Sequence, residues 1–281
     1  MNVLTDIESA REAVRAAQRM GGTVGLVPTM GALHEGHRSL IRAAKGRCAR
    51  VAVTIFVNPT QFGPNEDFAR YPRDLPHDAE LLASAGADVL FAPEPEEIYA
   101  AGAATFVEVA GLSDRLEGKS RPGHFRGVAT VVTKLFEIVT PHLAAFGQKD
   151  AQQAVVVKAL ARDLFLNVEI LVLPTKREED GLAMSSRNAL LSPDERRAAR
   201  AIPRALEAAK AAHDAGEREA GKIVAAAKAV LRGEPLLRID YVELVDAGAL
   251  EPVPRAQGDM LLAVAVFAGS TRLIDNIVLR S

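Results

Sequence analysis

Val24-Gly-Leu-Val-Pro-Thr-Met-Gly-Ala-Leu-His34-Glu-Gly-His37, running into Arg38-Ser-Leu-Ile-Arg-Ala-Ala-Lys45, is the stretch that decides the fold. An apolar run of β character delivers the chain into a glycine-bearing turn, and a helical pattern starts directly after it. The backbone N–H groups and positive dipole end of that helix suit an anion, so the stretch reads as a phosphate site. His34 and His37 stand three residues apart, which puts both imidazoles on one side of a first helical turn. Gly36 between them lacks a Cβ and lets a nucleotide approach the backbone. A purely structural alternative makes His34 a helix cap and His37 a surface residue. Placement straight after a strand favours the functional reading.

Working outward, β-like runs alternate with helical patterns as far as about residue 175. Strands are expected at 24–28, 50–57, 88–92, 105–109, 143–147 and 168–173, with helices near 6–20, 37–48, 74–86, 126–139 and 150–164. This alternation predicts an α/β fold, a Rossmann-like parallel sheet flanked by helices, whose ligands gather beyond the carboxyl ends of the strands. After Pro174 the character changes. Ser192-Pro-Asp-Glu195 carries the cap, the first-position proline and the acid three residues on that open a helix. An Ala/Arg/Glu-rich helical stretch follows, broken at Pro203 and at His213-Asp-Ala-Gly216 and resuming over 219–232; strands are expected at 239–245, 260–267 and 271–278. The expected domains are residues 1–176 and a smaller α+β domain over 177–281.

With 281 residues, 48% of them hydrophobic and 25% charged, the chain can bury a substantial core. Its formal net charge is −2 and its basic residues are dispersed, which argues against nucleic-acid binding. The single cysteine, Cys48, lies among apolar neighbours and reads as a buried structural thiol. Met-Asn-Val-Leu-Thr-Asp-Ile-Glu at the start lacks the features of a signal peptide, and no apolar run is long enough to span a bilayer. A cytoplasmic protein without membrane contact is the expectation.

Three further stretches fall just after strands or at the domain boundary. Phe56-Val-Asn58-Pro-Thr-Gln61-Phe62 offers neutral amides suited to hydroxyls or a carboxylate, between possible apolar walls. The long, charged, Gly/Pro-bearing segment 63–73 that follows suits a lid. Phe146-Gly147-Gln148-Lys149-Asp150 joins another strand to another helix; Lys149 there sits against the helix dipole, which favours an anion partner, and Gln153 lies four residues on along the same face. Asp180-Gly-Leu-Ala-Met-Ser185-Ser186-Arg187-Asn188, read as a loop, supplies hydroxyls and a guanidinium suited to phosphate.

The H-x-G-H pattern resembles the signature of nucleotidylyl-transferring enzymes, whose histidines stabilise charge at a transferred phosphorus. Together with Tyr71-Pro-Arg73, His124-Phe-Arg-Gly-Val128 and Gln152-Gln153, these stretches resemble the pantoate–β-alanine ligase family, in family order over the first two-thirds of the chain. The resemblance implies ATP-dependent condensation of pantoate with β-alanine to pantothenate, AMP and pyrophosphate through a pantoyl adenylate. It implies catalytic roles for His34, His37, Lys149, Ser185, Ser186 and Arg187. ATP would meet Met30, His37, Gly147, Lys149, Asp150, Pro174, Met184, Ser185, Ser186 and Arg187. Pantoate would meet Met30, Gln61 and Gln153, and β-alanine Gln61. Mg²⁺ would ride on the ATP phosphates, with no ligand assigned from the protein, and a homodimer is implied. His77 stands where family members often carry an acid. The resemblance leaves His77, Arg121 and His124 without roles. Two other readings compete: a nucleotidyltransferase acting on a phosphorylated acceptor, which the neutral Gln61 and Gln153 disfavour, and a non-catalytic ATP-binding regulator.

Overall fold

The computed structural model describes residues 1–64 and 66–280. The chain forms two compact units, Met1–Gln148 with Gln153–Pro174, and Lys149–Gln152 with Thr175–Ser281.

The first unit contains β1 (Asn2–Leu4), α1 (Ile7–Arg19), β2 (Val24–Thr29), α2 (Glu35–Lys45), β3 (Arg50–Ile55), α3 (Leu75–Ala85), β4 (Val89–Phe91), α4 (Pro95–Ile98), α5 (Leu116–Ser120), α6 (His124–Val139), β5 (Leu143–Gly147), most of α7 (Ala151–Asp163) and β6 (Glu169–Leu173). All six strands pair in parallel, in the order β1-β4-β3-β2-β5-β6. From β2 the chain winds outward through β3 and β4, then returns to lay β5 against the other side of β2. The direction of winding therefore reverses between β2 and β5, which is where an open parallel sheet leaves a crevice at its carboxyl edge.

Strand alternation sorts the core onto two faces. Leu26, Ala52, Phe91 and Ala144 pack with Val14 of α1, Val132 and Leu135 of α6 and Leu160 of α7. Their neighbours Val27, Val51, Val53, Leu90 and Ala145 pack with Ile41 and Ala44 of α2 and Leu82 of α3. Strands covered on both faces read as nearly continuous apolar runs, which is why they are plain in the sequence. Cys48 is buried in the second cluster, and desolvation pushes its thiol pKa up, as a structural cysteine requires.

The expected strand at 105–109 does not form. Val107 exchanges its backbone groups with Thr130 Oγ1 of α6, while Val107 and Val109 lean on the α6-side core. The sixth strand is instead β1, which pairs Asn2 with Val89 and Leu4 with Phe91.

The second unit adds α8 (Pro193–Ala199), α9 (Ala201–Asp214), α10 (Ala220–Arg232), β7 (Leu237–Asp246), β8 (Met260–Ala268) and β9 (Thr271–Leu279). The strands form an antiparallel meander, with Ile202, Leu206, Ile223 and Leu231 buried against Leu244, Leu262, Val264 and Leu273. Ser192 and Glu195 close the expected capping box on α8. The helical stretch breaks at Arg200 rather than at Pro203, which sits in the first turn of α9, where a missing N–H costs nothing. Among the described residues, no helix is long and apolar enough to cross a membrane.

Candidate active site

The turn after β2 is built before any ligand is considered. Gly31 takes φ +83°, a left-handed conformation natural to glycine, and a Cβ there would lie 3.0 Å from Asp78 Oδ2. Thr29 Oγ1 donates to Thr54 O at 2.7 Å and accepts the Gly31 N–H at 3.2 Å. Asp78, buried in α3, accepts the Ala32 and Leu33 N–H groups, each at 2.8 Å, on its two carboxylate oxygens. Burial raises the Asp78 pKa, outweighing these two hydrogen bonds. Nothing local in the sequence points to this brace, since Asp78 lies far along the chain from the turn it holds.

His34 is the N-cap of α2, as the structural reading of the sequence has it. Its Nδ1 accepts the Gly36 N–H at 3.1 Å, while His37 Nδ1 accepts the His34 N–H at 3.3 Å. The two rings lie 4.1 Å apart, tilted by 42°. A neutral imidazole with an accepting Nδ1 carries its proton on Nε2. Capping therefore fixes the tautomer of each ring and makes Nε2 the donor, at the end of a helix whose dipole favours an anion.

Beyond β3, Asn58 caps the single 3₁₀ turn Pro59–Gln61. Its Oδ1 accepts from Thr60 Oγ1 at 2.9 Å and Tyr99 Oη at 2.8 Å, and its Nδ2 donates to Gly127 O at 3.2 Å and Gln61 Oε1 at 3.0 Å. The bond to Gln61 Oε1 orients that buried amide, so Gln61 Nε2 points to Met30 Sδ at 3.3 Å. The structure thus brings together Met30 and Gln61, which the sequence offered for one acid substrate. Asn58, also singled out there, spends its amide on neighbours. Gly127 of α6 lets the turn press in: a Cβ there would lie 2.5 Å from Thr60 O.

The expected lid over 63–73 includes Asn65, which lies outside the described residues; the described ones are held by aromatic side chains and by Glu66. Phe62 packs edge-on against Phe68 and Tyr71, and Arg73 donates to Tyr71 O and Phe68 O. Glu66 pairs with Arg121, and Arg121 and His124 both contact Gln61 O. Burial first, and the Arg121 charge second, lower the His124 pKa to about 4, so the ring is neutral at ordinary pH.

Gly147 ends β5 and pairs with Leu173, which sets Pro174 beside it as β6 closes. Gln153 is half-buried in the first part of α7.

In the second unit, Lys149 and Asp150 occupy the short turn before α7, with Lys149 Nζ 3.4 Å from Asp150 Oδ1. Buried Asn276 of β9 donates to Lys149 O at 2.9 Å. The run Asp180–Asn188, expected as a loop, lies within a hairpin closed by an Arg177–Ala183 bridge and runs into a 3₁₀ turn. Gly181 turns the hairpin, and Asn188 Nδ2 ties it to Ala183 O at 3.1 Å. Arg177 is held by buried Asp275 at 2.7 and 3.1 Å, and Asp180 by Arg196 at 2.6 and 3.0 Å. The Arg196 hydrogen bonds hold the Asp180 carboxyl below its usual range. On this frame Met184 leads into Ser185, which caps the Ser186–Leu190 turn carrying Ser186 and Arg187. Among the described residues no group of three or more His, Cys, Asp and Glu side chains is placed to hold a metal ion.

Comparison with known proteins gives the family. A family model described as pantoate-beta-alanine ligase matches residues 2–278. Pantothenate synthetases of Moorella thermoacetica and Roseiflexus castenholzii are 56% and 55% identical, over 99% and 100% of both chains. A crystal structure of pantothenate synthetase from Thermus thermophilus superposes with a TM-score of 0.94 at 45% identity, covering 99% of each chain. That of a Francisella tularensis pantoate-beta-alanine ligase, complexed with beta-gamma ATP and beta-alanine, gives 0.82 at 35% identity, covering 99% of this chain and 97% of that one. The chain belongs to the pantoate–β-alanine ligase family.

Proposed function

We propose that the protein condenses pantoate with β-alanine at the expense of ATP, releasing AMP and pyrophosphate through a pantoyl adenylate. The observation that supports the mechanism is the His34–His37 pair at the start of α2, whose Nδ1 atoms accept backbone N–H groups, so that each neutral ring carries its proton on Nε2.

Pantoate's carboxylate is ionised at neutral pH, so its attack on the α-phosphorus needs alignment and charge neutralisation rather than a base. Two neutral imidazoles donating from Nε2 meet that need, with Lys149, Ser185, Ser186 and Arg187 assigned to the same phosphates. Met30, Gly147, Asp150, Pro174 and Met184 complete the nucleotide contacts. Gln61, its amide fixed by Asn58 and Met30, takes pantoate together with Gln153 and then β-alanine. Mg²⁺ bound to the ATP phosphates, with no ligand assigned from the protein, would supply charge neutralisation there. Asp78, the buried acid at the turn, has both oxygens occupied by backbone N–H groups and serves the turn instead. In the second step the β-alanine amine, deprotonated, attacks the acyl carbon and AMP leaves. The mixed anhydride is sensitive to water, which gives the 63–73 segment its purpose as a cover. The reading includes a nucleotide- and pantoate-binding domain over 1–176, a smaller domain over 177–281, a homodimer and a cytoplasmic setting.

The test is pyrophosphate release from MgATP with pantoate, with and without β-alanine, alongside mass detection of pantothenate. Release stoichiometric with enzyme on pantoate alone, followed by turnover once β-alanine is added, is the expected result. ATP binding without pantoate-dependent pyrophosphate would reject it.

A further inference from the structure

Arg121 closes α5 three residues before His124 opens α6, and its guanidinium is divided among groups that no single charge pair would gather. Nε and Nη2 donate to the two carboxylate oxygens of Glu66 at 2.8 and 2.6 Å. Nη2 also donates to Gln61 O at 3.3 Å, and Nη1 lies 3.1 Å from His124 Nε2 and 4.0 Å from Glu117 Oε2. Because Nη1–H donates to His124 Nε2, the neutral ring carries its proton on Nδ1, which donates to the same Gln61 carbonyl at 2.8 Å. The Gln61 carbonyl is thus gripped by Arg121 and His124 while its side-chain amide is gripped by Asn58. Only Glu66 in this set belongs to the 63–73 segment. With Glu66 withdrawn, a largely buried guanidinium loses its bidentate counter-charge and its balance of contacts shifts.

We propose that Arg121, with His124, is a positioning residue that couples the seating of the 63–73 segment, through Glu66, to the orientation of Gln61. Glu66 then does more than fix its own segment, because through Arg121 it steadies the backbone carbonyl of the residue whose side-chain amide receives the acid. The inference rests on the assignment of Gln61 to pantoate. Lysine cannot replace this arginine, since a point charge on one ammonium cannot serve Glu66, Gln61 O and His124 in one plane.

The experiment uses the full chain with Glu66→Gln, Arg121→Lys and the double variant. In Glu66→Gln the pantoate KM is expected to rise about fivefold or more, the lower end of ordinary coupling, while the ATP KM stays within about twofold. AMP should also exceed pantothenate, as adenylate is lost to water. The double variant should be no worse than the poorer single one, because both break one unit. Hydrogen exchange at the 57–62 amides, measured without ligands, should quicken in Glu66→Gln. Unchanged exchange, unchanged pantoate KM with a wild-type AMP-to-pantothenate ratio, or losses that simply add would each overturn the coupling. Pantoate-dependent pyrophosphate release by the wild-type chain tests the functional reading separately, and the exchange measurement stands whichever acid Gln61 receives.

Discussion

Acidification should weaken the fold through His124, and the size of the effect follows from its surroundings. Burial and the Arg121 charge hold the ring pKa at about 4 in the folded chain, against an ordinary value of 6.5. Between those values the unfolded chain binds a proton that the folded chain refuses, so stability rises with pH across this window and falls on acidification through it. With these pKa values, lowering pH from about 7 to about 5 costs about 2 kcal/mol from this group alone. That figure is an upper one, since the ring is only partly shielded from solvent. His124→Asn keeps an amide N–H near the Nδ1 position facing Gln61 O and removes the titration. Urea unfolding of the two proteins at the two pH values isolates the term, because every other titrating group is common to both. The wild type should lose about 1–2 kcal/mol more than the variant on acidification. Equal losses would show that His124 is not held neutral by its neighbours and would undo the tautomer assigned to it.

Other outcomes are equally concrete. Asp78→Ala should cost about 2–4 kcal/mol by stranding two turn N–H groups, and should lower kcat/KM for both substrates; a wild-type urea midpoint would count against the brace. His37→Ala should slow pantoate-dependent pyrophosphate formation by about 10²–10³ with folding intact, and near-normal turnover would remove it from the chemistry. Gln61→Ala should raise the pantoate KM far more than the ATP KM, and equal losses would contradict its assignment. Gly127→Ala drives a Cβ toward the Thr60 carbonyl and should cost about 1–3 kcal/mol while raising the pantoate KM; thermal unfolding and steady-state kinetics read both.

The legible parts of the chain were those whose physics is local. Strands covered on both faces announced themselves as apolar runs, the capping box on α8 lay within four consecutive residues, and H-x-G-H sat where strand gives way to helix. What local sequence does not announce depends on distant partners. A three-residue edge strand such as β1 carries too little pattern to be seen, and its stability comes from β4. The 105–109 run has strand-like residues, yet its backbone groups find a threonine hydroxyl on α6. Asp78 braces a turn 45 and 46 residues before it, Arg121 reaches 55 residues back to Glu66, and Asn276 reaches 127 residues back to Lys149. Such pairs have no spacing rule, and side chains that orient a reacting group are more often of this kind than the reacting group itself.

On the proposed reading of the histidine pair, cap and phosphate donor need not compete for one residue. A cap by aspartate would satisfy the same backbone N–H groups but would bring a negative charge and no donor beyond them. Imidazole has two nitrogens in one rigid ring, so committing Nδ1 to the helix places the proton on Nε2 and fixes its direction at no further entropic cost. Because His37 Nδ1 caps the backbone of His34, while His34 Nδ1 caps the next turn, each ring orients a peptide group that belongs to the other's setting. Asp78 holds the two preceding amides in the same spirit. Donors fixed in this way need little reorganisation when charge develops at a phosphorus, which is the condition under which hydrogen bonds lower a barrier most. Loss of either imidazole should therefore also loosen the start of α2. Hydrogen exchange at Gly36 in His34→Ala should quicken, and unchanged protection there would separate the cap from the donor and refute their union in one ring.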